Sequence, residues 1–467
     1  MIPRLAARSL AERPVRSVVL AAGFGVGIGV MAGLLGIGDV ILHQARSPDL
    51  LGGGDAIVVG GAGRVESARF VMRTLLRGRA ATDVRAVSPL AEVPLYLVDG
   101  ERAEIVYATA GIPDLERAIG DPETAGVVAW RNAPGDEAWV DPDPEALLRA
   151  MDRFHPIPDV PAYAGSWAEW LYFNGRVGAT HFYLSFLAGS SDARGVRDAV
   201  VRLQLDRGGG LATYAERVQL TEADLARAPD LDFGSSSVRL EGLDYRIRLD
   251  LPGATNEPRL AGEIVLRAED GGSMPPLALR GADGWISGYT VPVLSGALSG
   301  RLVVGAEAID LSGGRGYHDH NWGFWKGVTW QWGQVEGDGL SLVYGRVRPP
   351  ADVADPERVP AVLVAVGPDG PLGFATSTTI REIDDEAGRP QRITVHASGS
   401  TLDLDLTFDV ARTEASSVSG PLDDLRFLQM RGRYRAVGRV GGHDVAFERD
   451  GSAETFRSAM VEVERDR

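Results

Sequence analysis

The segment from Gly314 to Gly339 concentrates the side chains of this chain that could do chemistry. Its sequence, GRGYHDHNWGFWKGVTWQWGQVEGDG, holds two of the seven histidines and four of the nine tryptophans. Buried histidine and aspartate side chains need hydrogen-bond partners, whereas tryptophans form a broad apolar wall. So much polar and aromatic material in one hairpin region indicates more than packing.

A strand over Tyr317 to Trp322 would sort these side chains onto two faces, because successive residues of a strand point to opposite sides. One face has three polar groups: Tyr317, Asp319 and Asn321. The opposite face has two imidazoles and an indole: His318, His320 and Trp322. The following strand aligns Trp330, Trp332 and Gln334, and the strand after it aligns Leu342, Tyr344 and Arg346.

Three interpretations of this region compete. His318 and His320 point the same way and could bind a metal, but no third ligand is identified, so that signal is weak. The polar groups could instead form a hydrogen-bond cluster that closes one barrel against another. The interpretation we favour is a catalytic or ligand-contacting site in an apolar cavity, with no metal.

A second aromatic segment, EWLYFNG, runs from Glu169 to Gly175. In a strand, Trp170, Tyr172 and Asn174 share one face. Taken alone, this pattern is typical of an aromatic core strand that ends in a turn at Asn174-Gly175.

The elements around these segments predict a mainly β protein. After Tyr163, many short apolar or alternating runs are separated by glycine, proline and aspartate, which indicates sandwiches or barrels. About 300 residues exceed one eight-stranded barrel, so we expect two β-domains, 161–340 and 341–467. Residues 46–160 predict a small α+β region that ends in a proline-rich linker around FHPIPDVPAY.

The N-terminus predicts a membrane anchor within residues 1–45. The stretch from Ser17 to Gly38 has no charged residue and is long enough to cross a bilayer, which takes about 20 residues. Four arginines precede it, so the N-terminus is expected in the cytoplasm and the bulk of the chain in the periplasm or outside the cell. A cleaved signal peptide is the alternative, and a buried soluble helix is a third.

Charge and cysteine content exclude several classes of protein. The formal net charge is -16, which argues against nucleic acid as a partner because phosphates require a basic surface. The chain has no cysteine, so disulfides, thiolate metal sites and cysteine nucleophiles are excluded. No phosphate-binding loop, nucleotide motif or GxSxG elbow is visible, and we therefore expect no organic cofactor.

EWLYFNG and GYHDHNWG, followed by W-x-W and a tyrosine strand, resemble the hydroxyneurosporene synthase (carotenoid 1,2-hydratase) and AttH-like family over about residues 165–457. The closing stretch, which leads to Glu454, is a weaker match. The resemblance implies two lipocalin-like β-barrels in tandem, and its members include alkene hydratases and pericyclases. Others are encoded beside ABC transporters, and residues 1–45 resemble the first membrane helix of a MacB/FtsX-type permease.

Alkene hydration needs a carboxylic acid kept protonated by an apolar cavity, and aromatic faces to stabilise the cation. Asp319 is the expected acid, with His318 or His320 positioning water and Tyr317 as a further donor. The expected ligand-contacting residues are Trp322, Trp330, Trp332, Tyr344, Trp170, Tyr172 and Asn321.

One departure from the family weakens the hydratase interpretation. The resemblance would place an aspartate two residues after Tyr344, where this chain has Arg346. Two hypotheses therefore stand: a carotenoid 1,2-hydratase-like enzyme acting on an isoprenoid or lipid-like ligand, and a non-enzymatic lipid-binding or export-accessory protein that works beside an ABC-transporter permease.

Overall fold

The computed structural model describes residues 53–58, 65, 67–77, 79–99, 102–121, 124, 131–136, 142–208, 210–254, 257–368, 370–375, 377–417 and 425–458. The predicted anchor in residues 1–45 lies outside this range and stays a prediction. None of the helices within the described residues has the length and apolar composition that a membrane span requires. The described helices are α1 (Ala68–Arg77), α2 (Pro113–Ile119), α3 (Pro144–Met151) and α4 (Glu222–Leu225).

The chain divides into two units, of which the smaller covers residues 1–59 and 86–136. Its described part is an antiparallel hairpin of β1 (Leu90–Asp99) and β2 (Arg102–Gly111), followed by α2. Helix α2 begins with Pro113. The N–H of a first helical residue has no acceptor within the helix, so proline, which lacks this group, is well suited to the position. It ends at Gly120, whose φ of 80° is the left-handed conformation that glycine adopts without strain.

The larger unit contains two antiparallel, barrel-like sheets, so the prediction of a mainly β chain is confirmed. The first sheet has the strand order β6-β5-β4-β3-β14-β12-β10-β9-β8-β7, and β11 and β13 pair with β12. Its strands are β3 (Trp167–Val177), β4 (Thr180–Ser191), β5 (Val196–Asp206), β6 (Leu211–Thr221), β7 (Leu231–Phe233), β8 (Ser236–Glu241), β9 (Asp244–Leu251), β10 (Leu260–Arg267), β11 (Met274–Arg280), β12 (Ile286–Val304), β13 (Glu307–Asp310) and β14 (Gly314–Phe324). Alternate side chains fill the interior, as in β9, where Tyr245, Ile247, Leu249 and Leu251 are buried.

The second sheet has the order β18-β17-β16-β15-β23-β22-β21-β20-β19. Its strands are β15 (Thr329–Gly337), β16 (Leu340–Arg348), β17 (Val362–Gly367), β18 (Gly370–Phe374), β19 (Ser377–Asp384), β20 (Pro390–Ser398), β21 (Leu402–Ser417), β22 (Leu425–Val440) and β23 (His443–Ser458). A separate apolar core fills it, built around Phe408, Tyr434 and Leu404.

The chain passes from the first sheet to the second between Phe324 and Thr329. Strand β15, which the sequence assigned to the barrel 161–340, pairs with β16 and β23 of the second sheet. Strands β14 and β15 therefore do not form the expected hairpin. The alternation of side chains identified both strands but carries no information on which strand each one pairs with.

Two local expectations are corrected by the packing. Strand β3 continues to Val177, because Gly175 is a close-packing position and not a turn: an added Cβ would lie 2.6 Å from Phe182 and Leu298. The proline-rich segment is not a linker. Residues 151–160, which we call the strap, lie against the first sheet, and Phe154 joins its core.

Candidate functional site

Strands β3 and β14 are direct neighbours, which brings the two aromatic segments of the sequence together. Their antiparallel register sets Asp319 opposite Tyr172 and Asn321 opposite Trp170. One face of this strand pair packs against the second sheet, where Tyr172 and Tyr317 share a buried cluster with Trp332. The other face looks into the first sheet, where His318 stacks on Phe173 at 4.0 Å.

A chain of hydrogen bonds on the first of these faces ends at Asp319. The Trp332 indole donates to the Tyr289 hydroxyl (3.0 Å), which lies 2.6 Å from the Tyr317 hydroxyl. Tyr317 donates to one oxygen of Asp319 (2.9 Å), and the Asn321 amide donates to the other (2.7 Å). Both oxygens of this carboxyl group are thereby fixed in position.

A second carboxyl group, Glu454, enters the same region from the second sheet. It accepts hydrogen bonds from the Tyr172 hydroxyl (2.7 Å) and the Gln429 amide (3.3 Å). Its neighbours in the sheet are Trp332 on β15 and Gln429 on β22. We call this set the acid cluster: Tyr172, Tyr289, Tyr317, Asp319, Asn321, Trp332, Gln429 and Glu454.

The acid cluster favours protonated carboxyl groups. Burial raises the pKa of Asp319 well above its usual range, and the charge of Glu454 raises it further against the hydrogen bonds from Tyr317 and Asn321. Burial likewise raises the pKa of Glu454 to about 7, although Tyr172 and Gln429 oppose the shift. Burial therefore favours the protonated form of both carboxyl groups, and Glu454 titrates near neutral pH.

A cavity of about 980 Å³ lies between the two sheets, and β3, β15 and β23, which carry members of the acid cluster, also contribute to its lining. Its lining includes Asn174, Gln334 and Ser452, each two residues from a member of the acid cluster on β3, β15 or β23. Asp319 itself is not part of that lining. Residues two apart on a strand share a face, so the acid cluster lies next to the cavity along these three strands, although none of its members is part of the lining.

His318 lies on the opposite face, in the interior of the first sheet. Its Nδ1 faces the backbone oxygen of Tyr172 (2.9 Å), and its Nε2 lies 3.1 Å from both oxygens of Asp152 on the strap. The Tyr245 hydroxyl donates to Asp152 (2.5 Å). His318 thus fastens the strap to the sheet and cannot position water for Asp319, contrary to the sequence expectation.

His320 anchors the strap at a second point. Its nitrogens face the Met151 backbone oxygen (2.9 Å) and Glu169 (3.0 Å), and Glu169 also contacts His155 Nδ1 (2.8 Å). Burial opposes the charge on His320, but Glu169 outweighs it and the pKa of His320 is raised. Burial similarly opposes the charge on Glu169, whose pKa is lowered by the two histidines.

Within the described residues, His155, Glu169 and His320 form the one group whose ligand atoms converge as for a metal ion, within 4.8 Å of one another. Of the two histidines that the sequence suggested as metal ligands, His320 belongs to this group and His318 does not. The other two potential ligands, Glu169 and His155, were not identified from the sequence. The fully buried guanidinium of Arg197 lies 4.0 Å from Glu169, and both histidines already bond to Glu169. A neighbouring cation and a carboxylate that is already bonded fit an ion-pair cluster better than a dication site.

The remaining predicted ligand contacts divide among three places. Trp322 stacks on His155 at 4.2 Å, on the strap side of the sheet, and so lies away from Asp319. Tyr344 lies inside the second barrel, 3.0 Å from the Tyr434 hydroxyl. Trp170 and Trp330 pack 6.3 Å apart between the sheets and stay at the border of the acid cluster.

Sequence reasoning gave no site role to three members of the acid cluster, Tyr289, Gln429 and Glu454, or to Asp152 on the strap. Tyr289 belongs to a long strand whose pattern does not differ from core packing. Arg346 also has a structural role, because it donates to the backbone oxygens of Pro356 and Val359 and holds the loop after β16. At the position where the resemblance predicts a carboxylate, this chain therefore has an arginine that holds a loop in place.

No protein-family model and no curated protein matches this chain. Among solved structures, the chain is similar to an AttH-like protein from Nitrosomonas europaea (16% identity, 65% of this chain and 99% of that one, TM-score 0.43). It is also similar to CghA with Sch210972 (12% identity, 66% of this chain and 95% of that one, TM-score 0.41). A further similar structure is kievitone hydratase from Nectria haematococca (15% identity, 66% of this chain and 94% of that one, TM-score 0.42). At these values the likeness assigns no activity to this chain.

Proposed function

We propose that the protein binds an apolar, unsaturated small molecule between its two sheets and adds water to it by acid–base catalysis. The observation that supports this most directly is the pair of desolvated carboxyl groups, Asp319 and Glu454, contributed by different sheets to one aromatic region. Such environments keep a carboxylic acid protonated near neutral pH.

In the proposed reaction, protonated Asp319 gives its proton to one alkene carbon while the π bond supplies the electron pair. The other carbon becomes a cation, which the faces of Trp332 and the tyrosines stabilise. Water attacks this carbon and loses a proton to ionised Glu454. Proton transfer from Glu454 back to Asp319 restores the starting state, so no oxidant or cofactor is consumed.

The test is hydration of a trisubstituted alkene, such as squalene, by the full chain in water labelled with heavy oxygen. Wild type is expected to yield an alcohol that contains the label. Asp319→Asn should reduce the yield by about 10²–10⁴-fold, the usual contribution of a general acid. The matched control is Asp405→Asn, which alters a carboxylate that is exposed in the second sheet.

Labelled product at equal rates from Asp319→Asn and wild type would refute the role of Asp319. Mass spectrometry of small molecules that co-purify with the full chain identifies further alkenes for the same assay. A co-purified alkene that binds tightly and never gains oxygen would support the second candidate function, non-enzymatic lipid binding beside an ABC-transporter permease. Arg346 in the position of the expected carboxylate favours that candidate.

We also propose that residues 1–45 anchor the protein in the cytoplasmic membrane, with the two barrels on the outer side. The uncharged stretch from Ser17 to Gly38 and the arginines before it support this orientation. A phosphatase fused after Arg467 should be active only if the C-terminus is exported. Inactivity of that fusion, with activity of a cytoplasmic reporter at the same site, would reverse the orientation.

A further inference from the structure

The cavity between the sheets has an excess of cationic side chains, although the whole chain is acidic. Six arginines and five carboxylates line it, whereas the chain has 48 basic and 64 acidic residues. The local charge balance is therefore opposite to that of the molecule. Only Arg431 among these arginines is mostly buried, and a cavity for a neutral hydrocarbon would not need that charge, since buried charge is costly.

Arg431 on β22 is the best-placed of these arginines. Its side chain is 15% exposed, and it pairs with Asp206, which is 1% exposed and is shared with Arg412. Two guanidinium groups thus converge on one carboxylate of the lining. Arg412 is also paired with a second carboxylate, Glu414, which is not part of the lining. The positive charge of Arg431 is therefore balanced by fewer carboxylates than that of Arg412.

The positive field of this region acts on His181, which also lines the cavity. Burial lowers the pKa of His181, and the charges of Arg431 and Arg176 lower it further, outweighing the opposite effect of Asp206. The lining also contains uncharged Asn174, Gln334 and Ser452, which precede or follow members of the acid cluster by two residues on β3, β15 and β23.

We infer that the ligand is an amphiphile with an anionic head. Arg431 holds a carboxylate or phosphate group at the charged end of the cavity, and the unsaturated chain extends toward Asp319 and Glu454. A guanidinium group suits both head groups, because its planar donors match their oxygens. This inference rests on the proposed function, and it limits the substrate class to long-chain anions.

The test compares four ligands of equal chain length, dodecanoate, dodecyl phosphate, dodecanol and dodecyltrimethylammonium, as competitors of the neutral dye Nile red on the full chain. The anions are expected to bind about tenfold more tightly than dodecanol, and the cation more weakly. The ratio of dodecanoate to dodecyl phosphate identifies the preferred head group.

Arg431→Gln should remove the preference for anions and leave the affinity for dodecanol unchanged. Arg439→Gln, a change of the same kind on the same strand at a side chain 67% exposed, should keep the preference. Because Arg431→Gln disturbs a buried pair, Arg176→Gln, at a side chain 42% exposed in the lining, provides a second variant with a smaller change in the same direction.

Equal affinity for dodecanoate and dodecanol would overturn the inference and leave the proposed hydration in place. The same holds if the preference for anions persists in both Arg431→Gln and Arg176→Gln. Failure of all four ligands to displace Nile red would remove the binding site itself, and with it the proposed function.

Discussion

At the scale of single residues, the two faces of β14 have different tasks. Asp319 and Tyr317 meet the second sheet, whereas His318 and His320 hold the strap inside the first. Along this strand, the side chains of one face belong to the candidate site, and those of the other face hold the strap in place. The sequence placed these four residues in one catalytic group, and the structure separates them because the strand is buried on both faces.

Glu454 makes stability depend on pH in a defined direction. Its folded pKa is about 7, above the ordinary value of 4.5, so the folded state binds the proton more tightly. Its contribution is fully present below pH 4.5 and is lost as pH rises through 7, a change on the order of 3 kcal/mol. In urea unfolding between pH 4.5 and 7, the free energy of unfolding of wild type should fall as the pH rises, and that of Glu454→Gln should fall less.

Asp444→Asn is the control, since Asp444 lies on the same strand and is 95% exposed. It should preserve the pH dependence of wild type. An unfolding free energy that depends on pH equally in wild type and Glu454→Gln would contradict the raised pKa.

At the scale of elements, the strap is held by buried hydrogen bonds that join Asp152 to His318 and Tyr245. Leaving a buried hydrogen-bonding group without its partner costs about 1–3 kcal/mol. Asp152→Asn is therefore expected to lower the free energy of unfolding by that amount and to increase hydrogen exchange across residues 151–160. His396→Ala, which breaks an exposed pair with Asp405, should cost less than about 1 kcal/mol.

Equal losses from Asp152→Asn and His396→Ala would show that the strap does not depend on the buried contacts of Asp152. Exchange in residues 151–160 that stays at the wild-type rate would lead to the same conclusion.

Strand β3 depends on close packing at Gly175. A methyl group there would overlap Phe182 and Leu298, so Gly175→Ala should cost about 1–3 kcal/mol. Gly165 has no heavy atom within 4 Å of an added Cβ, and Gly165→Ala should be nearly neutral. Thermal unfolding of both variants provides the comparison, and a neutral Gly175→Ala would refute the packing argument.

At the scale of the larger unit, the two sheets are joined by polar contacts as well as by aromatic ones. Asp206 on β5 receives Arg412 and Arg431 from the second sheet, and Tyr172 donates to Glu454. Contacts of this kind link the unfolding of the two cores. Wild type is expected to show coincident transitions by tryptophan fluorescence and far-UV circular dichroism.

Asp206→Asn should uncouple the sheets, because Arg431 and Arg412 lose the buried carboxylate that they share. The expected result is two separated transitions in urea, measured by the same two probes. Asp198→Asn, on the same strand at an exposed position, should retain one transition. A single transition in Asp206→Asn would show that apolar contacts alone couple the sheets.

The sequence by itself determined the mainly β character, the positions of β3 and β14 and the assignment of alternate side chains to two faces. These are local properties, set by the period of two in a strand and by turn residues. The tertiary structure alone decided that β15 belongs to the second sheet, that the strap covers His318 and His320, and that Asp319 shares a desolvated region with Glu454. Strand pairing and burial join residues far apart in the chain, as in the contact of Tyr172 with Glu454, and no local pattern specifies such partners.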